Sequence, residues 1–398
     1  MEDRRLSENR RAGGTVAVPM KINPVLAGLG TYPIALVQER ARAMREAGER
    51  LVDFSIGDPR EPTPAFIREA LREAVPEISQ YPTTRGLLRL RQAVADYVRR
   101  RFGVEVDPQR QVLATTGSKE AIFSTPLAFV EAGDVVVCPS PGYPIYARGG
   151  ALAGGRIHQV VLSGDFVFRV DSIPDDVWDD AALVWTCSPH NPTGSVMSRE
   201  DIATMYERCR ATDTLLCADE CYVDLYEGEP PPSLLQVAGP DLEGALVYLS
   251  LSKRSGMTGY RSAAVVGDPE AIDVLASLRS STGTAPPEFT QAAAVAAWSD
   301  DEHVEERRRV FAAKRAVLRR VFEDLGMEVV ASHAGLYLWV RVGDDLAVTE
   351  TLLTAGVVVS PGRAFGPGGE GFIRLALVPT VEECVEAAEV VRRCLRRS

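Results

Sequence analysis

The stretch Ser250-Leu251-Ser252-Lys253-Arg254-Ser255-Gly256-Met257-Thr258-Gly259-Tyr260-Arg261 follows directly on the apolar run Ala245-Leu246-Val247-Tyr248-Leu249. A short continuous apolar run of this kind reads as a buried strand, so the segment after it is a loop at a strand end. Lys253 is conspicuous there because only four of the chain's 44 basic residues are lysines. A guanidinium is always protonated, whereas a desolvated lysine can lose its proton and condense with a carbonyl. Ser250 and Ser252 just before it and Arg261 eight residues after it form a set able to hold a phosphate dianion. Phosphate and imine together point to a phosphorylated aldehyde, pyridoxal phosphate. A lone lysine after a strand is also readable as a solvated loop cation, so the decision rests on the rest of the chain.

Working outward, short apolar strands alternate with helical stretches: 111–114, 135–138, 156–162, 182–187, 214–218, 245–249 and 263–266. This pattern predicts an α/β fold with a mostly parallel central sheet covered by helices on both faces. In such sheets, ligands gather at the carboxyl ends of the strands. Upstream, 34–48 reads as an amphipathic helix and 51–56 as a strand, followed by the turn-rich Gly57-Asp58-Pro59-Arg60-Glu61-Pro62. Beyond residue 300 the pattern becomes α+β: a long charged helix over 301–325, strands at 327–331, 336–340, 357–359 and 372–377, and a last helix over 381–396. The expected division is a mobile tail at 1–19, a large domain at 61–299, and a smaller α+β domain built from 20–60 and 300–398 with an N-terminal arm.

The chain has 398 residues, enough for two domains, and a net charge of −11 argues against a nucleic-acid partner. Seven cysteines are not a disulfide framework. Cys217 and Cys221, with only four histidines and no paired C-x-x-C, make no metal site. No run of about 18 apolar residues exists to cross a membrane, and a cytoplasmic protein with reduced thiols is expected.

The remaining candidates fall at strand ends. Thr116-Gly117-Ser118-Lys119 opens a helix whose free amides suit an anion, or equally a simple helix cap. In Pro139-Ser140-Pro141-Gly142-Tyr143, Tyr143 can lie against a heteroaromatic ring or serve the core. Ser188-Pro189-His190-Asn191-Pro192 presents Asn191 from a rigid turn. Asp219 closes the apolar run 215–218, where a carboxylate needs either a buried cation such as a pyridinium nitrogen or a helix N-terminus to cap.

This ordered set resembles the class I/II aminotransferases of pyridoxal-phosphate fold type I, over nearly the whole chain from Lys21 onward. The resemblance implies that Lys253 carries the cofactor as an imine and shuttles the proton, while Asp219 faces the pyridine nitrogen. Asn191 and Tyr222 would face the ring hydroxyl, and Tyr143 would stack on the ring. Gly117, Ser118, Lys119, Ser250, Ser252 and Arg261 would hold the phosphate, joined by Tyr81 from a neighbouring subunit of a homodimer with shared active sites. Arg374, in Gly371-Phe372-Ile373-Arg374-Leu375, would fork onto the substrate α-carboxylate, with the Gly57 backbone and Asn191 beside it.

The implied activity is ping-pong transfer of an amino group between an amino acid and a 2-oxo acid. Ser250–Ser255, including Arg254, together with Tyr81–Gly86 and Arg374–Val378, is most similar to succinyldiaminopimelate aminotransferases of lysine biosynthesis, with glutamate and 2-oxoglutarate as the other pair. Arg60 and Arg85 are candidates for a distal carboxylate, or surface charges. Aspartate, alanine, aromatic or LL-diaminopimelate transamination and C–S β-lysis are alternatives on the same fold. A cofactor-sensing regulator is an alternative of another class. Cys187 and His190 stand where many relatives carry asparagine, which leaves side-chain specificity open.

Overall fold

A computed structural model describes residues 22–28 and 33–396. The chain divides into two units, residues 1–30 and 31–398. In the first, the described part is the short helix Pro24–Gly28; the tail expected at 1–19 lies outside the described residues. Everything below concerns the second unit.

Its main sheet has seven strands: β1 (Val112–Thr115), β2 (Val135–Ser140), β3 (Arg156–Val161), β4 (Ala181–Cys187), β5 (Leu215–Asp219), β6 (Ala245–Ser250) and β7 (Ala263–Gly267). The strand order is β1-β7-β6-β5-β4-β2-β3. Only β7 runs against its neighbours, pairing antiparallel with both β1 and β6. All other strands therefore present their carboxyl ends along one edge. Every residue of β2 and β6 is buried, as expected for strands covered on both faces, whereas β3 at the sheet edge alternates towards exposure.

A second, antiparallel sheet joins Ser360–Pro361, Phe372–Ala376, Tyr337–Arg341 and Val329–Val330 in that order. It shares a core with the helix Glu302–Asp324, which buries Phe311, Leu318, Val321 and Phe322 along one stripe. Two strands fall short of the apolar pattern by three or more residues. The strand expected over 327–331 is limited to Val329–Val330, because Ala331 and Ser332 turn through positive φ of 51° and 67°. The strand expected over 51–56 is limited to Val52–Asp53, paired in parallel with Val357–Val358. Beyond it the backbone leaves the ladder: the Ser55 carbonyl accepts from Arg374 Nη2 at 2.7 Å and from Ser360 Oγ at 3.1 Å. That departure brings Gly57 and Asp58 to the carboxyl edge of the main sheet.

Candidate active site

A cavity of about 500 Å³ opens along that edge. Lys253 enters it from a one-turn helix, Leu251–Arg254, which begins as β6 ends. Ser250 caps this turn, its Oγ accepting from the Ser252 N–H at 3.2 Å. Lys253 Nζ donates to the Gly57 carbonyl. Burial brings the Lys253 pKa down to about 8, and the cations Arg261 and Arg374 act in the same direction while Asp58 and Cys221 oppose it. An amine poised this close to neutrality can act as a base and as a nucleophile.

Asp219 closes β5 and is buried. Its Oδ2 accepts from Tyr146 Oη at 2.7 Å and its Oδ1 from the Cys221 N–H at 3.2 Å. Burial pushes its pKa up, and these hydrogen bonds pull against that shift. A cationic ring nitrogen is the partner such an acid lacks.

Gly117 sits at φ 82° between β1 and the helix Ser118–Ser124. A Cβ there would lie 2.3 Å from Arg261 Nη2, so only glycine lets the guanidinium close over the turn. Arg261 itself holds φ 53° and donates from Nη1 to the Thr258 carbonyl at 2.9 Å. Ser118, Lys119, Ser250, Ser252 and Arg261 all line the cavity. Hydroxyls and cations converging on a glycine turn are the donor set a phosphate requires. With the lysine amine and the buried acid, they fit pyridoxal phosphate.

Arg374 lies across the cavity. Its guanidinium is pressed between the rings of Tyr337 and Phe365, each 4.4 Å away, and donates to Asn191 Oδ1 at 3.0 Å as well as to Ser55. Its Nε is buried without a partner. A planar cation locked in this way, with donor capacity left over, is suited to a carboxylate. Tyr337 Oη also meets Tyr222 Oη at 3.0 Å, and a Cβ on Gly57 would lie 2.6 Å from it.

Of the fourteen candidates from sequence, twelve line the cavity: Gly57, Ser118, Lys119, Tyr143, Asn191, Asp219, Tyr222, Ser250, Ser252, Lys253, Arg261 and Arg374. Gly117 stands just behind, against Arg261. Tyr81 is fully exposed and outside the cavity of this chain. Arg60 is held by Glu383 at 3.2 Å and Arg85 by Asp273, and neither lines the cavity. Arg254 does not line it either.

Cys187 and His190 lie outside the lining as well; His190 Nδ1 meets Thr193 Oγ1 at 2.8 Å, and burial holds its pKa down to about 3. Sequence-based reading misses Tyr337, Phe365, Ser55 and Tyr146. Ser55 has its partners, Arg374 and Ser360, 319 and 305 positions away, and Tyr337 and Phe365 meet Arg374 only through the tertiary fold. Tyr146 had a local signal, because it lies three residues after Tyr143, at the second position of the helix Ile145–Ala153.

Residues 49–391 match the family described as aminotransferase class I and II. An LL-diaminopimelate aminotransferase of Aquifex aeolicus is 35% identical over 374 residues, 92% of this chain and 96% of that protein. Among solved structures, an aminotransferase from Neisseria meningitidis has a TM-score of 0.87 at 35% identity, covering 94% of this chain and 100% of that one. A probable N-succinyldiaminopimelate aminotransferase from Thermus thermophilus has a TM-score of 0.86 at 31% identity, covering 91% and 100%.

Proposed function

This chain belongs to the class I and II aminotransferases, and from that premise we propose that it moves the α-amino group of a diaminopimelate-skeleton amino acid to 2-oxoglutarate, N-succinyl-LL-diaminopimelate being the expected donor. The enzyme is a pyridoxal-phosphate-dependent transaminase. The observation that carries the reading is the meeting of Lys253, Asp219 and the ring-clamped Arg374 in one cavity.

When bound, pyridoxal phosphate supplies the carbonyl that accepts the amino group and a ring that takes up electron density. Gly117, Ser118, Lys119, Ser250, Ser252 and Arg261 would hold its phosphate, Asp219 would keep its ring nitrogen protonated, and Tyr143, Asn191 and Tyr222 would fix the ring. Arg374 takes the substrate α-carboxylate and so sets the Cα–H bond towards Lys253. Lys253 Nζ removes that proton and returns it, which only the neutral amine can do.

For the side chain, the likeness to the probable N-succinyldiaminopimelate aminotransferase of Thermus thermophilus favours the succinylated donor. The lining cations Lys119, Arg261 and Arg374 are taken by the phosphate and the α-carboxylate and do not read the side chain. Asp58, together with the Aquifex relative, favours a second reading, in which free LL-diaminopimelate presents its distal ammonium to Asp58. Loss of the visible absorbance of cofactor-loaded protein, followed for each amino acid without an acceptor, distinguishes the two. The succinylated donor is expected to react faster than the free one. The reverse order supports the second reading, and bleaching by aspartate or alanine alone removes both while leaving the aminotransferase intact.

A homodimer with shared active sites accounts for Tyr81, which is exposed here alongside Ile78, Val75 and Leu88. Light scattering of purified protein is expected to give about twice the 43.2 kDa chain mass. A mass of one chain would leave Tyr81 without a role at the phosphate.

A further inference from the structure

The residue directly after the lysine points the other way. Arg254 is 3% exposed, and its guanidinium is almost completely engaged. Nε donates to Asp224 Oδ2 at 2.8 Å, Nη1 to the Ala297 carbonyl at 2.7 Å, and Nη2 to Asp301 Oδ1 at 2.5 Å and the Asp300 carbonyl at 3.1 Å. Its flat face lies 4.9 Å from the Tyr97 ring and 5.3 Å from that of Trp298. Tyr97 Oη and Arg101 Nε donate to the same Asp224, at 2.8 and 3.1 Å. Asp224 belongs to the loop that follows β5, two residues past Tyr222 and five past Asp219.

A helix of one turn has no stability of its own. What holds Leu251–Arg254 must therefore come from outside it. Its described anchors are the Ser250 cap, the Leu251 N–H donating to the Ser262 carbonyl at 3.3 Å, the buried Leu251 side chain, Lys253 Nζ on the Gly57 carbonyl, the Arg254 fork, and Arg307 Nε donating to the Lys253 carbonyl at 3.3 Å. Of these, Arg254 alone joins the lysine turn to the loop that carries Asp219 and Tyr222.

We propose that Arg254 is a positioning residue: forked onto Asp224 and Asp301, it fixes the Lys253 amine in register with the Asp219–Tyr222 loop. The part of the sequence resemblance that rested on Arg254 then marks how the lysine is held and says nothing about which side chain is bound. Lysine cannot replace it, because an ammonium has no planar fork and cannot span Asp224, Asp301 and two carbonyls at once. The inference rests on Lys253 being the proton-moving residue, and its test separates the two claims.

In cofactor-loaded Arg254→Lys, the half-reaction rate with a saturating amino donor is expected to fall by about 10- to 100-fold, the scale set by an ångström of misplacement. The donor concentration at half-saturation should change little, since Arg374 and Asn191 are untouched. Without substrate, the pH midpoint of the visible absorbance, which reports the Lys253 nitrogen joined to the cofactor carbon and not the free amine, should move upward by about half a unit or more, because a loosened nitrogen is better hydrated and holds its proton longer. Lost thermal stability with an unchanged rate and midpoint would make Arg254 a merely structural residue and overturn the proposal. Should Arg254→Lys fail to fold, Asp301→Asn, altered at the half-exposed end of the fork, decides the matter: a smaller shift in the same direction supports the proposal and none refutes it. Turnover retained in Lys253→Ala would instead overturn the role of Lys253.

Discussion

Lys253→Ala is expected to keep its fold and still bind pyridoxal phosphate through Asp219 and the phosphate cradle, yet to lose transamination by at least about 10²–10⁴-fold, the range for removing a positioned general base. Among the titratable residues lining the cavity, Asp219 is assigned to the ring nitrogen, and burial raises the Tyr222 and Tyr337 phenols and the Cys221 thiol, which leaves Asp58 as the carboxylate to which a residual rate would point. Stopped-flow measurement of the half-reaction checks this, and a residual rate within tenfold of the wild type would mean that another base acts. The wild-type rate carries a second signature. With the free amine titrating near 8, Lys253 is protonated and inactive as a base below that pH, so the rate should rise with pH and level off above about 8. A limb near 10, the ordinary lysine range, would show the amine to be hydrated.

Arg374→Ala is expected to lower kcat/KM by on the order of 10²–10³-fold, mostly through KM, as truncating one side of a buried charge pair costs about 2–5 kcal/mol. The loss has two parts. The carboxylate partner disappears, and Tyr337 and Phe365 lose the cation that their faces enclose. Arg374→Lys should recover little, since a point charge neither fills the slot between two rings nor forks onto a carboxylate. Amines lacking a carboxylate provide the control: their poor reactivity should be the same in wild type and variant. A KM unchanged for amino acids would move the carboxylate site elsewhere.

Much of this was legible in the sequence because the site is built at strand ends. Runs such as Leu215–Ala218 and Ala245–Leu249 are apolar for their whole length, so the first polar residues after them, Asp219 and the Ser250–Lys253 loop, mark one edge of the sheet. The direction of β7 was not legible, since an apolar run reads the same whichever way it pairs. The slot around Arg374 was equally hidden: Tyr337, on a strand of the second sheet, and Phe365, at the end of the turn Gly362–Phe365, look like ordinary aromatic residues until the fold brings both rings to 4.4 Å from one guanidinium. The arginine after the lysine was visible, but which way it faced was not. Neighbours along a one-turn helix point in different directions, and only the buried carboxylate of Asp224 tells which of the pair turns inward.

The Ser55 carbonyl takes its hydrogen bond from a residue 319 positions later. Synthesis is vectorial, so every residue of the phosphate cradle, together with Lys253 and Asp219, has been polymerised more than a hundred residues before Arg374 exists. On the proposed roles, a nascent chain contains all the groups assigned to the cofactor while still lacking the arginine assigned to the α-carboxylate, so selectivity for amino acids would be the last property this polypeptide acquires.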